Sequence, residues 1–193
     1  VVATAPTGKT IVGYCVKSAG LRGTTGAPYD FRAATEGRPT LLFFGYTECP
    51  DVCPTTMADV AVALRDVDPA VAEQVQVVFV TTDPATDTPE VLGSYLDNFD
   101  ADLPVSFVGL TGELDAVVQA QLAAGVPQAE DEGRLHSTLL LLYGADDQAR
   151  VAFDTGNDWR DIAADLGKVV KQGEVLAVVD SAEVSAAKAQ YIT

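Results

Sequence analysis

The chain has 193 residues, 48% of them hydrophobic, with 28 acidic against 12 basic side chains and a formal net charge of -16. That length can bury one good core with room for a small second module, and the negative charge argues against nucleic acid or an anionic membrane as a partner, since either would repel it. No apolar run approaches the roughly 20 residues that span a bilayer, and three cysteines, Cys15, Cys49 and Cys53, are too few for a dense disulfide framework.

In chain order, Thr10 to Val16 reads as a strand, with Cys15 an inert thiol among alternating apolar residues. "PTLLFFGY", Pro39 to Tyr46, is short, apolar and flanked by glycine and proline, which predicts a buried strand. Met57, Val60, Leu64 and Val67 then recur at helical spacing until Pro69 closes the pattern. Val75 to Asp83 is a second β-branched run. It leads to a helix with Thr88 as its cap, Pro89 at the first helical position and Glu90 in the first turn. "VSFVGLTG" is a third strand, followed by a helix that ends near Gly125. "STLLLLYGADDQARVAF" reads as a hairpin and "WRDIAADLGKVV" as a closing helix. Strands alternating with helices predict an α/β fold with a mainly parallel sheet covered on both faces. Adding a hairpin and a cysteine pair at the first strand-to-helix junction gives the outline of a thioredoxin-like, three-layer α/β/α domain.

The chemistry concentrates in "FFGYTECPDVCPTTM". Pro54 suits a first helical turn, which puts Cys49 in the entering loop and Cys53 at the helix start. Unpaired amides and the positive dipole end there favour thiolate, the form that attacks disulfides and binds metals. Cysteines one turn apart can also form a disulfide. Redox cycling and metal binding are therefore both open, with a structural staple as the third reading. His136, the sole histidine, stands in "EGRLHSTLLLLY" one residue before the expected hairpin strand. In a thioredoxin-like sheet that loop lies beside the cysteine loop, so His136 is expected to approach both sulfurs. Two thiolates and an imidazole form a soft set that suits Cu(I) and also holds Cu(II). Structural zinc wants a fourth ligand, for which only Asp51 or Asp83 offers itself. A thiol peroxidase would want a cation near the thiolate, and no Arg or Lys lies between Leu41 and Leu64.

The stretches "FFGYTECPDVCPTTM", "VFVTTDPATDTPEVLGSYL", "FVGLTG" and "LHSTLLLLY" together resemble the Sco/SenC family of copper-handling, thioredoxin-like proteins over Thr24 to Leu166. The resemblance implies a copper site of Cys49, Cys53 and His136. It also implies a chaperone role in building the dinuclear copper centre of cytochrome c oxidase, with a copper donor and a copper-accepting oxidase subunit as partners. The alternative is a thiol-disulfide oxidoreductase acting on an oxidase subunit, with Cys49 attacking and Cys53 resolving. The family's "TTDP" aspartate maps onto Asp83, which would support the ligands from behind or help dock a partner. Glu48 stands where a histidine is common in the family. The resemblance further implies an extracytoplasmic location, with a membrane anchor that this sequence does not contain.

The ends, 1–20 and 167–193, do not match the family. "APTGKTIVGY" and "VVKQGEVLAVVDSAEVSAAKAQY" resemble halves of a lipoyl-like barrel-sandwich motif. They are expected to form one small β unit around a Sco-like domain spanning 21–166. "VDSAE" lacks the lysine hairpin of an acyl carrier, so no lipoyl or biotin attachment is expected.

Overall fold

The computed structural model describes residues 9–10 and 20–172. Its centre is β3 (Thr40–Gly45), a strand whose six residues are all buried. Such a continuous apolar run fits a strand covered on both faces. It pairs in parallel with β4 (Gln76–Thr81), which in turn pairs in parallel with β5 (Val108–Gly112). On the other side β3 pairs antiparallel with β6 (Leu140–Tyr143), and β6 with β7 (Ala149–Phe153). Strands β1 (Lys9–Thr10) and β2 (Leu21–Gly23) complete the order β1-β7-β6-β3-β4-β5-β2.

The sheet is thus mixed, where the alternating pattern predicted a mainly parallel one. Parallel pairing is confined to β3, β4 and β5, which are joined through helices long enough to cross over. The β6–β7 turn reverses the chain within a few residues: Gly144 N donates to Gln148 O, and Asp147 takes φ 58°. A tight turn can join only antiparallel strands.

Alternate residues of the central strands feed two cores. Leu41, Phe43, Val77 and Phe79 pack on one face against α2 (Val52–Asp66), α3 (Pro69–Ala72), α4 (Pro89–Asp100) and α6 (Trp159–Gln172). Leu42, Phe44, Val78 and Val80 pack on the other against α1 (Phe31–Thr35) and α5 (Leu114–Ala123). This is the expected three-layer α/β/α arrangement. The cap of α4 is as expected, with Thr88 Oγ1 accepting from Val91 N at 3.3 Å and Pro89 at the first position. Pro69 ends one helical pattern but opens another, since the Asp68 side chain accepts from Ala70 N and caps α3.

Lys9 and Thr10 extend the sheet edge opposite Ala152 and Val151. Cys15, most of the N-terminal strand candidate and residues 173–193 lie outside the described residues, while residues 167–172, expected in the terminal β unit, form the end of α6. Among the described residues no helix is long and apolar enough to cross a membrane.

Candidate metal centre

The C-terminal end of β3 runs through Gly45 into Tyr46, and the chain then turns through Thr47 to Cys49 before α2 begins at Val52. Asp51 occupies the cap position of α2 but makes no side-chain cap bond. The Cys49 sulfur takes that task, accepting from Cys53 N at 3.4 Å. Each helix start carries amides with no partner inside the helix, and here a cysteine sulfur is what they meet.

Gly45 makes the close approach feasible: a Cβ there would come within 2.7 Å of the Cys53 sulfur and 2.8 Å of the Phe43 ring. Cys53 is fully buried, Cys49 is half-buried, and both are free thiols. Their acidities diverge accordingly. Burial pushes the Cys49 thiol up, but hydrogen bonds from the Asp51, Cys53 and Val52 amides outweigh it and leave Cys49 below the ordinary thiol value. Burial drives Cys53 far above that value, with the Cys49 sulfur and the Asp87 charge adding to the effect. Of the two thiols Cys49 is therefore the more acidic, and Cys53 is the one that holds its proton.

His136 enters from the opposite side. Antiparallel pairing places the start of β6 beside the end of β3, with Leu42 opposite Leu141, so the loop before β6 faces the cysteine loop. The strand begins at Leu140, not directly after His136 as the sequence suggested. Local bonds hold 136–139 out of the ladder: Leu139 N donates to Ser137 Oγ at 3.3 Å, and His136 Nδ1 lies 2.8 Å from Ser137 O. A carbonyl oxygen only accepts, so Nδ1 carries a proton, and in that tautomer Nε2 is the nitrogen left to present a lone pair to a metal. Nε2 is 3.5 Å from the Cys53 sulfur.

The ligand atoms of Cys49, Cys53 and His136 all lie within 4.8 Å of one another. Tyr46 and Phe43 meet the His136 ring edge-on, at centroid distances of 5.6 and 6.1 Å. Burial and the neighbouring sulfurs of Cys49 and Cys53 raise the Tyr46 hydroxyl's pKa. The Arg134 guanidinium sits 5.9 Å from the Tyr46 ring centre, a cation near the site that its position far along the chain concealed. Glu48 is exposed on the rim.

A third loop braces both ligand loops. Asp83 is buried, but its carboxylate accepts from Thr86 N at 3.4 Å within its own turn and is not part of the three-residue cluster. The carboxylate that reaches the cysteine loop belongs to Asp87, which accepts from both the amide and the hydroxyl of Thr47. From the same loop, Thr82 Oγ1 donates to Gly133 O at 2.7 Å. Gly133 adopts φ +88°, and any Cβ there would overlap the Thr82 carbonyl. Beside Thr88 and Pro89, Asp87 has the local pattern of a turn or helix-cap residue. Nothing in the local pattern shows that its partner lies 40 residues earlier.

The SCO1/SenC family model matches residues 21–171. A protein of Stutzerimonas stutzeri whose name proposes copper binding is 40% identical over 121 residues, 60% of this chain and 57% of that protein. The chain therefore spans little more than half the length of that curated relative. Among solved structures, Bradyrhizobium japonicum ScoI with copper bound superposes with TM-score 0.66 at 29% identity, covering 82% of this chain and 99% of that one. Yeast Sco1 with copper bound gives TM-score 0.69 at 25% identity, covering 96% and 99%. With the family model spanning strands β2 to β7, helices α1 to α5, nearly all of α6 and all three clustered ligands, the chain belongs to the SCO1/SenC family.

Proposed function

We propose that this chain binds one copper ion between Cys49, Cys53 and His136 and delivers it for assembly of the dinuclear copper centre of cytochrome c oxidase. The observation that carries the reading is the convergence of two sulfurs and an imidazole nitrogen within 4.8 Å, with the nitrogen's lone pair already turned inward. Two thiolates and one imidazole match the softness of Cu(I) and fall one ligand short of structural zinc. Binding releases the Cys53 proton, so copper affinity rises with pH. Cys49 and His136 are half-buried while Cys53 is fully buried, which leaves the first two as the ligands an incoming partner can displace. The acceptor is a copper-receiving oxidase subunit and the donor a copper-carrying protein, both outside the cytoplasm.

A second activity is favoured by the divergence of the two thiols. A Cys49 thiol made more acidic than usual beside a Cys53 made less acidic has the asymmetry of an attacking and a resolving cysteine in thiol-disulfide exchange. Oxidation of the pair would remove two copper ligands, so the same cysteines make copper binding redox-dependent.

His136→Ala separates the two readings. Copper binding predicts a loss of Cu(I) affinity of about a hundredfold or more, since losing even an outer partner of a ligand costs about 10–100-fold, while the Cys49–Cys53 pair still cycles. Unchanged Cu(I) affinity would remove His136 from the ligand set and leave thiol-disulfide exchange as the function.

A further inference from the structure

Asp87 is 1% exposed, and among the described residues no cation pairs with it. A buried carboxylate without a cation is strongly unfavourable unless hydrogen bonds replace its hydration. Its oxygens accept three such bonds: Thr47 N at 3.1 Å, Thr47 Oγ1 at 2.5 Å and Thr81 Oγ1 at 2.6 Å. Bonds of this charge-assisted kind are short and directional. Two come from the loop that carries Cys49, and the third comes from the last residue of β4, a central strand.

The usual tasks of an aspartate at this place are already filled. Thr88 caps α4, and Asp83 closes the turn that precedes it. Electrostatically, an anion here works against a pair of thiolates, because its charge adds to the forces that keep Cys53 protonated. The remaining consequence is geometric: Asp87 pins Thr47 to the end of a rigid strand. Two residues further on, Cys49 meets the amides at the start of α2.

We propose that Asp87 is a positioning residue for the cysteine pair, holding the 46–49 loop through Thr47 so that the first amides of α2 stay on the Cys49 sulfur. The inference takes Cys49 and Cys53 as the functional pair and adds what sets their chemistry. Once the loop is released, the reduced form loses amide bonds that the disulfide does not need, and the pair becomes easier to oxidise.

The test is the dithiol–disulfide equilibrium of the metal-free full chain against glutathione, for the parent protein, Asp87→Asn and Thr47→Val. Folding is checked by circular dichroism, and Cu(I) affinity is measured in parallel by competition with a chromophoric chelator. Asp87→Asn removes bonds and charge together; Thr47→Val removes one bond and leaves the charge. Positioning predicts a shift toward disulfide in both, about tenfold in Asp87→Asn, equal to about 30 mV, and about threefold in Thr47→Val. Cu(I) affinity falls in the same order.

A shift confined to Asp87→Asn, a shift toward dithiol in either variant, or changes below twofold in both would overturn the proposal. If Asp87→Asn fails to fold, Thr47→Val decides alone. A parent protein that binds no Cu(I) but whose variants still shift the thiol equilibrium would overturn the copper reading and leave the role of Asp87 standing.

Discussion

The three candidate ligands were legible in the sequence to different degrees. Cys49 and Cys53 announced themselves, because proline after each and a helical spacing between them fix their place at a helix start. His136 needed the fold as well, since only the antiparallel pairing of β3 with β6 brings its loop to the sulfurs. Asp87 and Gly45 could not be read, because each acts on an atom whose position depends on tertiary packing. Two predictions belong at this scale. The alkylation rate of Cys49 should climb with pH to a midpoint below the 9.0 of an ordinary thiol, as amide bonds favouring the thiolate require, whereas Cys53 should stay unreactive through that range. A pH profile of iodoacetamide labelling, read by mass spectrometry of the separate peptides, checks both. Gly45→Ala should force the Cys53 sulfur and the Phe43 ring apart and lower stability by about 1–3 kcal/mol through overpacking, which a urea titration would show.

At the scale of elements, the βα units with strong periodicity or cap chemistry were readable, and α4 starts where Thr88 and Pro89 said it should. Replacing Thr88 by Ala should lower stability by about 1 kcal/mol, with little effect on copper affinity, since its hydroxyl bonds only the helix it caps. The short pieces were not readable. The five residues of α1 and the three of β2 are held by packing on α5 and pairing with β5, and they carry too few residues to show a period. The His136 loop is a further case: Asp131, Glu132 and Gly133 all take positive φ, and Gly133 seats against Thr82. Gly133→Ala should therefore unseat the loop and weaken Cu(I) binding by about tenfold or more, as the loss of supporting contacts behind a ligand does. A chelator competition titration measures it.

For the whole molecule, sequence and structure agree on a three-layer α/β/α domain and differ on the sheet. Its parallel part is limited to β3, β4 and β5: a short turn makes β6 and β7 antiparallel, and β6, β1 and β2 each join their neighbouring strands antiparallel. Two apolar cores lie against this sheet, and the ligands stand at one end of it, on the 46–51 loop, the first turn of α2 and the 130–139 loop, with the 81–87 turn bracing both loops. Metal binding and folding are linked in such a site. Cu(I) at a thousandfold excess over its Kd should stabilise the fold by about 4 kcal/mol, a rise of roughly 10 °C in Tm for a chain of this size.

The most direct measurement of the central claim is X-ray absorption spectroscopy at the copper edge on the fully reduced chain loaded with one equivalent of Cu(I). A three-coordinate ion bound by two sulfurs and one nitrogen, with the nitrogen lost in His136→Ala, is the predicted result. Copper held by sulfur alone in the parent protein, or a spectrum that His136→Ala leaves unchanged, would contradict it.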